Sequence, residues 1–290
     1  WTTYTFVGGT IGGLLIPIMR GIFITDDPAT TNWRGMLILS VILGFALTIV
    51  ILFTIKETTA FKVKDLNNVD KIGSKKDNLS FKETLQVIFA EERRKGMIGI
   101  YLIGVIWVIG TVFLKLVEPY ATNYTKMTQG EYNIVLIFVV LGGVVGTIIT
   151  GQLADRFGRK FTFILYSILM PTVSITAMLF TMNIDNSLFR ILLTSLLVMV
   201  TITTGYGLWA LIIIFIIEMV PTETRGFAAG LKMSIMAITS FLFYLLVGNL
   251  ILIWGLLLVL IVFSCVLLII VPITIFVLPE TKGRDLVTLE

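Results

Sequence analysis

The run Gly151-Gln-Leu-Ala-Asp155-Arg156-Phe-Gly158-Arg159-Lys160 sets three cations and one carboxylate beside two glycines, between two apolar stretches each long enough to cross a bilayer. These side chains make ion pairs rather than covalent bonds. Arg156, Arg159 and Lys160 suit carboxylates or main-chain carbonyls, Asp155 suits a helix N-terminus, and the glycines Gly151 and Gly158 admit a close helix approach and a tight turn. Contacts of that kind hold two packed bodies in one arrangement and release them in another. Glu218, Arg225, Glu280 and Lys282 stand at other polar breaks of the chain and have the same pairing chemistry.

The composition excludes much else. The chain has 290 residues, 57% of them hydrophobic and 14% charged, and its mean hydropathy is +0.99, so it has too little polar surface for a soluble globule of this size. It contains no histidine, and Cys265 is its single cysteine. That removes Ser-His-Asp and Cys-His catalysis, histidine-ligated metal sites and disulfides. There is no G-x-x-x-x-G-K-[ST] phosphate loop. No cofactor is expected, and no enzymatic chemistry. The net charge of +4 is a matter of membrane topology and not of nucleic-acid binding, because the basic residues are not interleaved with exposed aromatics.

The elements that must position these residues are membrane helices. At about 20 apolar residues per span, helices are predicted near 4–24, 35–55, 97–117, 132–153, 161–182, 188–217, 227–249 and 252–277. With both ends in the cytoplasm, only Arg20, Arg34, Lys115, Lys126 and Arg190 of the 22 Lys and Arg fall on the outer side, which is the orientation the positive-inside rule selects. Trp33, Tyr120, Tyr124 and Trp254 are then expected at the outer interface. Segment 56–96 reads as a solvated cytoplasmic linker. Within it Ser80 and Glu83 form a capping box, and Phe81, Leu85, Ile88 and Phe89 share one face of a helix expected on the membrane surface. The chain begins at Trp1 with almost no polar lead-in before the first span, and further residues are expected upstream.

The pattern G-x-x-x-D-R-x-G-R-K resembles the loop motif of the major facilitator superfamily. Glu218-Met-Val-Pro221-Thr222-Glu-Thr-Arg225-Gly226 is similar to the turn between that family's tenth and eleventh helices. Pro279-Glu280-Thr281-Lys282-Gly283-Arg284 is similar to the P-E-T-K-G after the twelfth helix of its sugar porters and organic-ion transporters. Trp33-Arg34 and Glu57-Thr58-Thr59 fit weakly before and after the sixth. The resemblance implies an all-α membrane protein of the major facilitator fold, with eight of twelve helices present, the fifth to the twelfth. Residues 1–55 are then the last two helices of the N-terminal half, 56–96 the central cytoplasmic loop, 97–278 the C-terminal half and 279–290 a cytoplasmic tail.

By the same resemblance the chain is a secondary transporter in the cell membrane, working by alternating access on a sugar, organic acid or organic ion, with H+ or Na+ as a candidate coupling ion. Its solute site is expected between the halves, lined here by the spans 97–117 and 188–217. On the first, Gly104, Trp107, Thr111, Lys115 and Glu118 share a face; on the second, Thr194, Thr201, Gly205 and Trp209 do, with Tyr206 adjacent. Trp107, Thr111, Thr201, Tyr206 and Trp209 are the candidate solute contacts, since rings flanked by hydroxyls stack on and hydrogen-bond polar organic molecules.

The sugar-porter pattern is incomplete: 97–117 holds no Q-Q-x-S-G, and Ile213 stands where that family's tenth-helix tryptophan would be. A multidrug exporter and a solute receptor that does not transport are the alternatives. Lys232 is expected to snorkel to an interface, Arg20 to pair with Asp26 or Asp27, and Pro17, Pro171 and Pro272 to kink their spans. Glycine pairs four apart occur at Gly8/Gly12, Gly9/Gly13, Gly142/Gly146 and Gly226/Gly230, a spacing that permits close helix crossings.

Overall fold

The computed structural model describes residues 13, 15–27, 30–54 and 80–281. Among these the chain is all helix, joined by short turns. Seven segments are long and apolar enough to cross a membrane: Trp33–Phe53, Glu91–Asn123, Gln129–Phe157, Arg159–Thr181, Ser187–Met219, Thr222–Trp254 and Leu256–Phe276. They match the second to the eighth predicted spans. Of the first, the described part is the nine-residue helix α1 (Leu15–Phe23). The linker residues 55–79, Lys282 and Gly8, Gly9 and Gly12 lie outside the described residues.

Several helices outrun the lipid core. α6 (Gln129–Phe157) has 29 residues and α8 (Ser187–Met219) has 33, roughly 50 Å at 1.5 Å per residue. A hydropathy pattern sees only the apolar middle of such a helix, so the charged termini that carry the motifs fall outside the predicted spans. α6 starts at a capping box in which the Thr128 hydroxyl accepts from the Glu131 N–H at 3.2 Å while the Glu131 carboxylate accepts from the Thr128 N–H at 2.8 Å.

α2 (Trp33–Thr54) buries none of its most apolar window against the rest. The others form one packed body, in which α8 lies chiefly against α6 and α7 (Arg159–Thr181). At the α6–α8 crossing a Cβ on Gly142 would stand 2.6 Å from the Met199 carbonyl oxygen, and one on Gly146 2.5 Å from that of Thr203. Backbone therefore touches backbone there. A Cβ on Gly226 or Gly230 would meet nothing within 4 Å among the described residues, so the same spacing makes no close crossing with them in α9 (Arg225–Trp254).

The span Glu91–Asn123 is broken into α4 (Glu91–Gly110) and α5 (Val112–Asn123), with a further non-helical residue at Leu116. Pro119 explains the second break, having no N–H for the i−4 carbonyl and a ring that crowds it. α7 runs unbroken through Pro171. Ahead of Pro272 the last span tightens to a 3₁₀ turn at Leu267–Ile269, between α10 (Leu256–Val266) and α11 (Ile270–Phe276).

The short helix α3 (Phe81–Ile88) has the predicted capping box, Ser80 N–H donating to Glu83 at 2.7 Å and Glu83 N–H to the Ser80 hydroxyl at 3.3 Å. Its apolar face packs on the bundle: Ile88 is fully buried, and Phe81 meets Phe227 with ring centroids 5.5 Å apart. The Ser80 hydrogen bonds hold the Glu83 carboxyl below the usual carboxylate range. The cap is then fully effective above the unfolded carboxyl pKa of about 4.3 and is lost as pH falls through the lower folded value. Amide exchange in the first turn of α3 should accelerate only below that point, and Glu83→Gln should remove most of this dependence.

Candidate functional site

The loop motif is a single-residue break. α6 runs to Phe157, α7 begins at Arg159, and only Gly158 lies outside a helix, with φ of +103°. Gly151 has open space around it, so the tight turn belongs to Gly158 alone. The N–H groups of Arg159 and Lys160 donate to the two carboxylate oxygens of Glu280, at 3.0 and 3.2 Å. Glu280, and not Asp155, is thus the anion at this helix N-terminus, where the exposed N–H groups and the dipole favour it. A Cβ at Gly158 would stand 3.0 Å from Glu280 Oε2.

Arg159 sits at the centre. Its guanidinium reaches Glu218 Oε1 from Nη2 at 3.0 Å and from Nε at 3.3 Å, Asp155 Oδ1 from Nη1 at 2.8 Å, and the Ala154 carbonyl at 2.8 Å. Arg159 and Glu218 side chains are each 14% exposed, whereas Asp155 is 74% exposed, so the Glu218 pair is the shielded one. The Thr281 hydroxyl donates to the other oxygen of Glu218, and Lys160 Nζ donates to the Ile275 carbonyl at 3.1 Å. Groups from three helix ends and the segment after α11 therefore meet around three carboxylates, Asp155, Glu218 and Glu280.

Arg156 lies over the Phe157 ring at 5.3 Å. Arg225 does not join the carboxylates as predicted: its Nε donates to the Val220 carbonyl at 3.3 Å, within its own turn. That turn is short, so the side chain folds back on it before it reaches Glu218.

At the opposite end of the bundle Arg20 pairs with neither Asp26 nor Asp27. It crosses to α5, where Nη2 and Nη1 meet the Glu118 oxygens at 2.5 and 3.1 Å, and it also bonds Gln129 and covers the Tyr132 ring. Asp26 accepts from the Gln129 N–H at 2.6 Å. Glu118 is therefore not the partner of Lys115. The break at Leu116 separates the two, although straight helical spacing put them on one face. Tyr120 is fully buried inside the bundle and donates to the Met178 carbonyl at 2.7 Å.

Between these ends lies a cavity of about 540 Å³. Trp107, Thr111 and Lys115 line it from α4, α5 and the turn between them, Tyr206 and Trp209 from α8, and Met233, Met236, Ser240 and Tyr244 from α9. The Trp107 indole N–H donates to the Gly205 carbonyl at 3.0 Å, and its ring lies 4.9 Å from that of Trp209. Four of the five candidate contacts come together here. Thr201 does not: it is fully buried and its hydroxyl donates to the Leu197 carbonyl at 2.9 Å, the usual back-bond of a helical threonine.

The α9 wall was missed, yet it has a signal, since Lys232, Met236, Ser240 and Tyr244 recur every four residues. Lys232 does not snorkel. It is 1% exposed, its ammonium lies 3.9 Å from the Trp209 ring centroid, and it has no hydrogen-bond partner among the described residues.

A family model described as Major Facilitator Superfamily matches residues 111–288, a stretch that includes all three motif segments. The chain belongs to the Major Facilitator Superfamily. It is a multi-pass membrane protein of a family of transporters rather than enzymes. Among curated relatives, it is 22% identical over 231 residues to the cis,cis-muconate transport protein of Acinetobacter baylyi, covering 77% of this chain and 50% of that one. It is 28% identical over 121 residues to a probable 4-methylmuconolactone transporter of Cupriavidus pinatubonensis, covering 40% of this chain and 27% of that one. The chain thus spans half the length, or less, of these curated relatives.

Proposed function

We propose that this chain forms the fifth to twelfth helices of a secondary transporter that moves a small polar organic solute by alternating access. The loop motif is cytoplasmic, both chain ends face the cytoplasm, and the protein resides in the cell membrane. Residues 1–55, 56–96, 97–278 and 279–290 serve as the end of the N-terminal half, the central loop, the C-terminal half and the tail. The observation that carries the reading is the cluster in which Arg159 joins Glu218 while Glu280 caps α7. These contacts tie α7, α8 and the segment after α11 at one membrane face, and half-shielded pairs of this sort bias a two-state equilibrium without locking it.

The solute is a sugar, an organic acid or an organic ion, and a proton or sodium gradient, or the solute's own, drives it. Two relatives named for muconate and methylmuconolactone, together with the absence of the sugar-porter signature from 97–117, put organic acids first. Equilibrium counterflow by the full-length protein in proteoliposomes is the test, with labelled organic acids, sugars and organic cations offered separately. Saturable accumulation of one class is expected. Saturable binding with no accumulation of any of them would replace the transporter by a receptor.

A further inference from the structure

Among the described residues, this cavity has cations around it and no anion. Lys115 is in its wall, and Lys232 lies against the Trp209 ring, which is also wall. No carboxylate among the described residues lines it. The nearest acidic side chain along α5, Glu118, is engaged by Arg20 at the end of the bundle. The rest of the described wall is aromatic, aliphatic, thioether or hydroxyl.

An ammonium that is 1% exposed and has no acceptor among the described residues is costly to keep. Its contact with an indole face recovers only part of that cost. A negative charge in the cavity against Trp209 would lie within about 8 Å of Lys232 Nζ, close enough for strong attraction in a poorly screened interior. Trp107, Trp209, Tyr206 and Tyr244 offer flat apolar faces to whatever carries that charge.

We propose that the cavity binds an organic anion with a flat, aromatic or conjugated body, its carboxylate held in the field of Lys115 and Lys232 and its body against the tryptophans. The proposal rests on the transporter reading only for the passage of that anion, because binding alone requires no transport.

The test uses the full-length protein with benzoate, terephthalate and sorbate as anionic probes, glucose as a neutral probe and tetraethylammonium as a cationic one. Binding is read by tryptophan fluorescence in detergent and passage by counterflow. Lys232→Met keeps the side chain's length while removing a buried charge, so it should fold as well as wild type; Lys115→Gln provides a second variant at a site that lines the cavity. At least one carboxylate should quench saturably, and each variant should raise its Kd tenfold or more. Quenching by glucose or tetraethylammonium but by none of the carboxylates would overturn the proposal, as would carboxylate binding unchanged in both variants. Carboxylate binding without counterflow would uphold the anion site and remove the transporter reading.

Discussion

Replacing Arg159 with alanine is expected to cut solute uptake by the full-length protein to below about a tenth of wild type while leaving its amount in the membrane nearly unchanged. The substitution removes the only charged partner of Glu218 seen among the described residues, and leaves that half-shielded carboxylate with the Thr281 hydroxyl. Stripping one member from a pair shielded to this degree costs about 1–3 kcal/mol, between a surface pair and a fully buried one. A shift of about 1.4 kcal/mol between two conformations already changes their ratio tenfold. The cost falls on the state that contains the pair, and the cycle stalls in the other.

The alanine still has its N–H for Glu280, so the cap on α7 survives and insertion should not suffer. Asp155→Asn, which disturbs only an exposed contact one turn away, should reduce uptake less. Initial rates in proteoliposomes normalised to immunoblotted protein provide the measurement. Wild-type uptake by Arg159→Ala would remove the cluster from the mechanism.

The second large effect is structural. Gly146→Leu should prevent α6 from seating on α8, because its Cβ would lie 2.5 Å from the Thr203 carbonyl oxygen and 2.9 Å from Thr203 Cα. Backbone cannot rotate aside as a side chain can. The Thr203 hydroxyl, which donates to the Gly142 carbonyl at 3.1 Å, would be lost with the crossing. Overpacking of a tight core costs about 1–3 kcal/mol where side chains yield, and here the upper end or more applies. In detergent the midpoint of thermal unfolding should fall by about 10 °C, or folded protein should not be recovered. Gly230→Ala is the matched control: with nothing within 4 Å of its Cβ it should be neutral or slightly stabilising through better helix propensity.

Those two glycines show where reading a sequence stops. Gly142/Gly146 and Gly226/Gly230 have identical spacing, and only the neighbour across the crossing separates them: α8 in one case, none among the described residues in the other. The spans themselves were legible because hydropathy is a local property of each helix. Their ends were not, since α6 and α8 carry charged turns past the apolar stretch.

The motifs brought Asp155, Arg159, Glu218 and Glu280 to one face of the membrane but could not pair them. Partners 59 and 121 residues apart are fixed by how helices assemble, and the anion at the N-terminus of α7 proved to be Glu280 rather than its neighbour in sequence. In the cavity, Trp107, Thr111, Tyr206 and Trp209 were reachable from helical spacing. Glu118 was misplaced for a reason visible in hindsight, Pro119. The fourfold spacing from Lys232 to Tyr244 is equally visible, but a lone lysine in a span predicts snorkelling to the interface and hides it.

The claim on which all this turns is that the two ends of the bundle open in alternation. Pulsed electron paramagnetic resonance on the full-length protein, with Cys265 replaced by alanine, tests it with two pairs of spin labels. Ile22 with Asn123 spans the end closed by Arg20 and Glu118, and Phe53 with Phe161 spans the end of the Arg159 cluster; Ile22, Asn123, Phe53 and Phe161 are all exposed. Addition of the transported solute should move the two distance distributions in opposite senses, one widening as the other narrows. Distributions that ignore a saturating solute, or that widen together, would contradict alternating access.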